Sequence, residues 1–191
     1  MNHPIPPPRL TEFITPEQLL ALPDGKHFEL VGGKLVEKNV GFESSWIGSV
    51  LMSLLMMHCR ANRLGWVVGN EPGFRCYPHD ANQVRKPDIA FVSFARLPAG
   101  KPPAGYCVVV PNLVVEVVSP NDVATEVDDK VSEYLAAGVE CVWVVHPNSR
   151  RVHIYYADRG VILNENDELS GEPVIPGFRC ALKELFSSPA G

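Results

Sequence analysis

Residues 113 to 120 read Leu113-Val114-Val115-Glu116-Val117-Val118-Ser119-Pro120, an apolar, strand-forming run that carries one acid. A similar run with one acid, Pro87-Asp88-Ile89-Ala90-Phe91, lies earlier in the chain. A carboxylate inside a buried strand is costly unless another group pairs with it. Two such acids on strands that could be neighbours indicate a shared partner, and a hard metal ion is the usual partner of oxygen ligands. The two runs therefore favour metal-dependent hydrolysis.

The composition is that of a single globular domain. The chain has 191 residues and a net charge of −5, and this length can bury a substantial core. No apolar run reaches the roughly 18 residues that span a bilayer. The proline-rich start has no signal-peptide pattern, so the cytoplasm is the expected compartment. The acidic balance argues against a nucleic-acid coat protein, but not against an enzyme with a local basic groove.

The charged residues are unevenly distributed. Residues 60–86 carry five cations and two acids, whereas residues 112–140 carry seven acids and one cation, Lys130. Most acids in such a stretch simply lie on the solvent-exposed face of a helix. We expect this of Asp128, Asp129 and Glu133.

The five cysteines are scattered, odd in number and without a C-x-x-C pair, so we expect reduced thiols. A zinc site built from His58, Cys59, Cys76 and His79 is an alternative, but its spacings match no compact structural zinc motif. Cys59 is better explained as a thiol in a helix core.

The N-terminal half predicts helices and a hairpin. We expect residues 1–14 to be a flexible, proline-rich arm. Thr15-Pro16-Glu17-Gln18 is typical of a capped helix start, and Gly32-Gly33 between two apolar runs predicts a two-residue hairpin. Apolar residues at helical spacing predict a long helix over about residues 43–62. Strands are expected at 66–69 and 73–77, and these two could form a hairpin.

The C-terminal half predicts a strand–helix–strand unit. Thr125-Glu126-Val127-Asp128 resembles a capping box, and Gly138 suits the end of that helix. The helix would connect strands at 113–117 and 141–145 by a right-handed crossover, so these strands should be parallel. Further strands are expected at 152–156 and 161–163, and a short helix at 182–186. Residues 15–191 are thus expected to form one α/β domain, with a mixed central sheet flanked by helices and an N-terminal helix and hairpin.

Asp88 and Glu116 are the first candidate site residues. Pro87 is tolerated at a strand start, and it places Asp88 where a carboxylate can face a cleft. Glu116 shares its face of the strand with Val114 and Val118, because strand side chains alternate. Glu116 therefore interrupts an apolar row. A buried arginine or a helix cap is the alternative partner for this acid.

Lys130 is the third candidate. It lies four residues before Tyr134 and at the edge of the predicted apolar stripe of its helix, so it leans toward the sheet that carries Glu116. The alternative is a surface pair with Glu126, four residues earlier, which would contribute only a few tenths of a kcal/mol. The sequence leaves both alternatives open.

From about Thr15 to Phe186 the chain resembles the Uma2 family of restriction-endonuclease-like proteins, within the PD-(D/E)XK nuclease superfamily. The resemblance implies that Asp88 takes the place of the superfamily aspartate and Glu116 that of the second acid. Val118 occupies the place of the superfamily lysine, as is usual in this family. The blocks that carry the resemblance are the hairpin at 28–36, Gly73-Phe74-Arg75, the runs at 87–92 and 111–120, the helix at 130–139 and the strand at 142–145.

The resemblance also implies roles for residues outside the two strands. Lys130 is the plausible migrated lysine, and Lys130 with Tyr134 resembles the Q-x-x-x-Y helix motif of RecB-like nucleases. Glu29 is an accessory acid candidate, although a solvent-facing hairpin residue is the favoured alternative. Two departures from the family pattern, Glu43-Ser44-Ser45 and His146, leave the metal-binding pair intact and remove candidates for additional proton transfer.

The implied activity is Mg²⁺- or Mn²⁺-dependent hydrolysis of nucleic acid, with DNA favoured. Asp88, Glu116 and the backbone carbonyl near Val117 would hold the ion, and Lys130 would stabilise charge on the phosphate. Arg75, Arg85 and Lys86 are candidates for phosphate contacts.

Two other expectations concern activity and assembly. The runner-up function is a nuclease-fold protein that has lost catalysis and acts in binding or assembly. A homodimer is a further expectation, because nucleases that cut both strands commonly dimerise, although no stretch of the sequence indicates an interface.

Overall fold

The computed structural model of the protein describes residues 13–39, 41–98 and 102–188. Most of the expected N-terminal arm, residues 1–12, therefore lies outside the described residues. Ile14, at the end of that segment, is buried and donates its N–H to the carbonyl of Gly33. The first helix, α1 (Pro16–Ala21), begins after Thr15, and the predicted capping box between Thr15 and Gln18 is formed in both directions.

The remaining elements follow the predicted order closely. In chain order they are β1 (Phe28–Val31), β2 (Lys34–Glu37), α2 (Phe42–Ala61), β3 (Gly65–Val68), β4 (Ile89–Ser93), β5 (Leu113–Val117), α3 (Ala124–Ala136), β6 (Cys141–His146), β7 (Arg151–Tyr155), β8 (Gly160–Leu163), β9 (Glu168–Ser170), β10 (Arg179–Ala181) and α4 (Leu182–Leu185).

The central sheet is mixed, as the sequence predicts. Its strand order is β3-β4-β5-β6-β7-β8. Strands β5 and β6 are parallel, with Glu116 opposite Val144, and the other neighbours are antiparallel. Helix α3 makes the crossover between the parallel pair, and Gly138 follows it with a φ of 96°, a backbone conformation that favours glycine.

The two faces of the sheet are covered by different helices. Leu113, Val115 and Val117 of β5 pack in the cluster that contains the buried face of α2. Val114 packs on the opposite side with Val131 and other residues of α3 and β6. Because side chains alternate along a strand, Glu116 must point toward α3. Burial of each large apolar side chain contributes roughly 1.5–3 kcal/mol, so this packing fixes the register that orients Glu116.

Three details differ from the sequence predictions. Residues 73–77 form no strand; Phe74 instead makes isolated bridges to Arg85 and Cys107, and β3 pairs with β4. Helix α3 begins two residues earlier than predicted, because its N-cap is Val123 instead of Thr125, and the Val123 side chain cannot cap. The antiparallel pair β9–β10 was missed, because strands of three residues are too short to show a period of two.

Candidate active site

Asp88 is fixed between two strands. It lies immediately before β4, and its Oδ2 accepts a hydrogen bond of 2.8 Å from the backbone N–H of Val117, at the end of β5. The side chain keeps 28% of its surface exposed. The antiparallel pairing of β4 and β5 therefore places the Asp88 carboxylate beside the Glu116 strand, with one face open to solvent.

Glu116 is buried on the α3 side of the sheet. Its Oε1 accepts a hydrogen bond of 2.6 Å from the Tyr134 hydroxyl, and its Oε2 lies 3.4 Å from Lys130 Nζ. Burial raises the pKa of Glu116, and although the charge of Lys130 opposes this rise, Asp88 adds to it. Glu116 is thus a carboxylate whose ionised form needs a nearby cation.

Lys130 bridges two buried acids. Its Nζ lies 3.3 Å from Oε2 of Glu29 and 3.4 Å from Oε2 of Glu116. Burial alone would lower the pKa of Lys130, but the two carboxylates outweigh this effect and hold the pKa above its ordinary value. Of the two alternatives for Lys130, the sheet-facing one is therefore found, and the ammonium stays protonated at neutral pH.

Glu29 on β1 belongs to this cluster, so the solvent-facing alternative is wrong. Only 1% of its surface is exposed. One carboxylate oxygen accepts the backbone N–H of Lys86 at 2.7 Å, and the other lies 3.1 Å from Nη1 of Arg85. Burial alone would raise the pKa of Glu29, but Lys130 and Arg85 reverse the effect and lower it. The hairpin thus supplies a third, firmly ionised acid behind the site.

The expected phosphate contacts differ from what the structure contains. Arg85 is buried, and it binds Glu29 and, at 2.6 Å, Glu133. Lys86 is also buried, and its Nζ donates to the carbonyl of Gly25. Both side chains are engaged inside the protein and not on its surface. Glu133 consequently does not lie on a freely solvated helix face.

Arg75, the third expected phosphate contact, lies nearer the surface. Its Nη1 pairs with Glu17 at 2.6 Å, and a third of its side chain is exposed. An exposed ion pair of this kind is weak, so Arg75 can exchange Glu17 for another anion.

Lys38 is the site residue that sequence reasoning missed. It directly follows β2, and its backbone N–H donates to the carbonyl of His27. Its Nζ lies 3.3 Å from Oδ1 of Asp88 and 2.5 Å from the carbonyl oxygen of Lys86. The alternation of side chains along β2 could have shown only that Lys38 shares a face with Val36; the approach to Asp88 depends on how the hairpin docks.

The three acids and two lysines of this cluster line two adjoining cavities. A small cavity of about 50 Å³ is lined by Asp88, Glu116, Glu29, Lys130 and Lys38 among others. A larger one of about 290 Å³ shares Asp88 and Lys38 and extends along the N-terminal half of α2, where its lining includes Ser44, Ser45, Gly48 and Ser49. The carboxylates thus lie at the junction of a small polar pocket and a wider groove.

The donor atoms fit a hard divalent cation. In the ranges that the structure describes, no group of three or more His, Cys, Asp or Glu side chains is arranged to hold a metal. The available donors are the carboxylates of Asp88 and Glu116 and the main chain at Val117, all oxygen. Magnesium commonly takes one or two carboxylates, substrate phosphates and several waters, and a cavity of about 50 Å³ has room for an ion with part of its water shell.

The residues of the alternative zinc site are not assembled. Cys59 is buried in the core, and Nε2 of His58 lies 2.9 Å from the carbonyl oxygen of Pro176. His146, at the departure from the family pattern, lies at the end of β6 and packs its ring against that of His153.

The six-stranded mixed sheet with helices on its two faces defines an α/β protein with a nuclease-like fold. The sequence model of the Uma2 family, described as "Putative restriction endonuclease", matches residues 16–183, and the chain belongs to this family. The fold is similar to a crystal structure from Anabaena variabilis ATCC 29413 titled as a "putative nuclease belonging to DUF820", with a TM-score of 0.78 at 20% identity. The match covers 91% of this chain and 97% of the other. A search of curated proteins returned no match.

No helix in the described parts of the chain is long and apolar enough to cross a membrane.

Proposed function

We propose that this protein is a Mg²⁺- or Mn²⁺-dependent endonuclease that hydrolyses phosphodiester bonds of nucleic acid, with DNA as the favoured substrate. The observation that carries the proposal is the placement of Asp88 and Glu116. They come from neighbouring strands, line one small cavity and are accompanied there by Lys130. Membership of the Uma2 family supports a nucleic-acid substrate.

Asp88 and Glu116, with the main-chain carbonyl of Val117, would hold the ion. When bound, the ion supplies an activated water and polarises the phosphate. Asp88 is oriented for this task by the N–H of Val117, and Glu116 by the hydroxyl of Tyr134. Both acids are therefore preorganised, which limits the reorganisation needed when charge develops on the phosphate.

Lys130 would act through its permanent charge. Its raised pKa keeps it protonated near neutral pH, so it cannot serve as the general base. Its ammonium favours the ionised form of Glu116 and places a positive charge in the cavity beside Asp88 and Glu116. Glu29 and Arg85 fix the position of this ammonium from behind.

A catalytically inactive binding or assembly protein is the second candidate. The observation that favours it is the internal balance of the site, because Lys38, Lys130 and Arg85 already pair with Asp88, Glu116 and Glu29. Such a cluster can be stable with its charges compensated by the protein alone. Metal-dependent cleavage separates the two candidates.

The test is cleavage of supercoiled plasmid and of labelled single-stranded DNA and RNA, with Mg²⁺, Mn²⁺ or EDTA. We expect the wild type to nick DNA only with metal, and Asp88→Ala and Glu116→Ala to lose this activity. Glu184→Ala is the matched control, since Glu184 is exposed on α4 and lines neither cavity. Activity that survives in Glu116→Ala would contradict the assignment of the site, and a wild type without cleavage would favour the binding protein.

Compartment and assembly are also proposals. The cytoplasm is supported by the five cysteines, all of which are free. A homodimer stays a prediction, to be measured by sedimentation.

A further inference from the structure

We propose that Lys38 is the lysine that contacts the scissile phosphate, and that Lys130 is a fixed counter-ion of the two buried glutamates. This inference rests on the proposed nuclease function. It changes which of the two lysines in the site touches the substrate.

The main chain places Lys38 where the small cavity adjoins the larger groove. Its N–H continues the pairing of the hairpin beyond β2 through the bond to His27. From there the side chain reaches Asp88 and lines both the small cavity and the larger groove. Lys130 lines only the small cavity of these two. A phosphate in the groove would therefore meet Lys38 first.

Lys130 and Lys38 differ in how well their partner carboxylates tolerate the loss of the ammonium. Lys130 is held by Glu29 and Glu116, both buried, and its withdrawal would leave two carboxylates without their nearest cation. Lys38 is held by Asp88, which is partly exposed, and by one main-chain carbonyl. Water can solvate Asp88 when Lys38 leaves, so Lys38 is the lysine that can exchange partners.

A phosphate is a better partner for Lys38 than the carbonyl it now binds. The ammonium–carbonyl bond has one charged partner, whereas a phosphate oxygen would add a second, opposite charge and with it a Coulombic attraction. Other expected cations are not available at this position, because Arg85 and Lys86 are buried in internal contacts. Lys26 also lines the groove, but Lys38 is the one that reaches Asp88. The contact to a non-bridging phosphate oxygen would stabilise the charge that develops during hydrolysis.

The experiment compares Lys38→Met and Lys38→Arg with the wild type. Lys34→Met is the matched control, because Lys34 is an exposed lysine on β2, four residues before Lys38 and on the same face of the hairpin. Binding of a labelled DNA duplex is measured by fluorescence anisotropy in EDTA over a series of salt concentrations. Single-turnover cleavage is measured with Mn²⁺ at saturating enzyme. Thermal unfolding and Mn²⁺ affinity of each variant are recorded alongside.

For Lys38→Met we expect a cleavage rate lower by about 100-fold or more, and a slope of log affinity against log salt that is smaller by about 0.9, as for one lost phosphate contact. Lys38→Arg should recover the slope, and Lys34→Met should match the wild type in both measurements. Unfolding temperature should stay near wild type in all three variants, and Mn²⁺ affinity should not fall, because removal of an ammonium beside Asp88 favours a cation there.

Two results would overturn the assignment of Lys38 while the nuclease function stands. One is wild-type cleavage and an unchanged slope in Lys38→Met. The other is lost cleavage with an unchanged slope and weaker Mn²⁺ binding, which would make Lys38 a residue that only orients Asp88. A wild type that neither binds nor cleaves DNA would instead overturn the proposed function, and this inference with it.

Discussion

The hydroxyl of Tyr134 donates a hydrogen bond of 2.6 Å to Oε1 of Glu116, and both groups are almost inaccessible to solvent. Tyr134 lies one helical turn after Lys130, so α3 presents a neutral and a charged donor to the same carboxylate. A buried carboxylate needs such donors because water cannot reach it. Helix α3, which connects the two parallel strands, therefore also supplies the hydrogen-bond donors that replace water around Glu116.

Replacement of Tyr134 by phenylalanine should destabilise the protein by about 2 kcal/mol, because a buried acceptor that bears charge loses its donor. Tyr77→Phe is a matched control. The Tyr77 hydroxyl is also buried, but has no hydrogen-bond partner among the residues that the structure describes, so its loss should be neutral or stabilising. Urea unfolding at neutral pH measures both variants, and equal effects would contradict the role given to the Tyr134 hydroxyl.

Metal binding should release a proton from Glu116. Burial raises the pKa of this acid, so Glu116 binds a proton at higher pH than an exposed glutamate does, whereas the ion requires the carboxylate. Mn²⁺ affinity should therefore rise with pH through that raised pKa. Calorimetry in two buffers of different ionisation enthalpy measures the released protons.

Two variants sharpen this measurement. Glu116→Gln should lose Mn²⁺ binding, yet remain at least as stable as the wild type at neutral pH, because the fold disfavours the ionised form of Glu116. Glu126→Gln, an exposed residue lining the same small cavity, should bind Mn²⁺ with proton release like the wild type. Wild-type Mn²⁺ binding by Glu116→Gln would exclude Glu116 as a ligand.

Glu29 should make the protein sensitive to acid. Its pKa in the folded protein lies below the ordinary value of 4.5, so its ionisation stabilises the fold above that value. This stability is lost as the pH falls through the lower, folded-state pKa. Glu29→Gln should cost about 3 kcal/mol at neutral pH, as for a broken buried ion pair, and the difference from wild type should shrink on acidification. A difference that stays constant between pH 7 and 3 would refute this linkage.

The central strands could be predicted from sequence because their signal is local. An apolar run interrupted by Glu116 shows both a strand and the face that its acid occupies. The signal for Glu116 lies in its immediate neighbours, so no distant contact has to be known. For Lys130, at the edge of the apolar stripe of its helix, the sequence leaves open both the sheet and a surface pair with Glu126.

Glu29 and Lys38 could not be placed in the same way. Both lie on or beside the hairpin, and their contacts depend on its docking against residues 84–86, where Leu30 pairs with Val84. Nothing in the hairpin sequence specifies that partner. The same limit explains Arg85, because a positive charge beside a candidate metal site looks the same in sequence whether it faces phosphate or a buried glutamate.

Mutation of Arg85 and mutation of Arg75 should have very different effects on the free energy of unfolding. Arg85→Met leaves Glu29 and Glu133 without their buried partner, and should destabilise the protein by about 3–5 kcal/mol. Arg75→Met removes an exposed pair with Glu17 and a hydrogen bond to the carbonyl of Ala81, and should change the free energy of unfolding by only about 1 kcal/mol.

For the salt dependence of DNA binding we expect the opposite order, with the larger effect in Arg75→Met. Since Arg75 can exchange Glu17 for a phosphate, Arg75→Met should reduce the salt dependence of DNA binding by up to one phosphate contact. Arg85→Met, compared at a temperature where it remains folded, should keep the wild-type salt dependence because its guanidinium is buried away from the groove. The opposite result would be a reduced salt dependence in folded Arg85→Met and an unchanged salt dependence in Arg75→Met. It would make Arg85 a phosphate contact after all, and the internal ion pairs of Arg85 would then have to open when DNA binds.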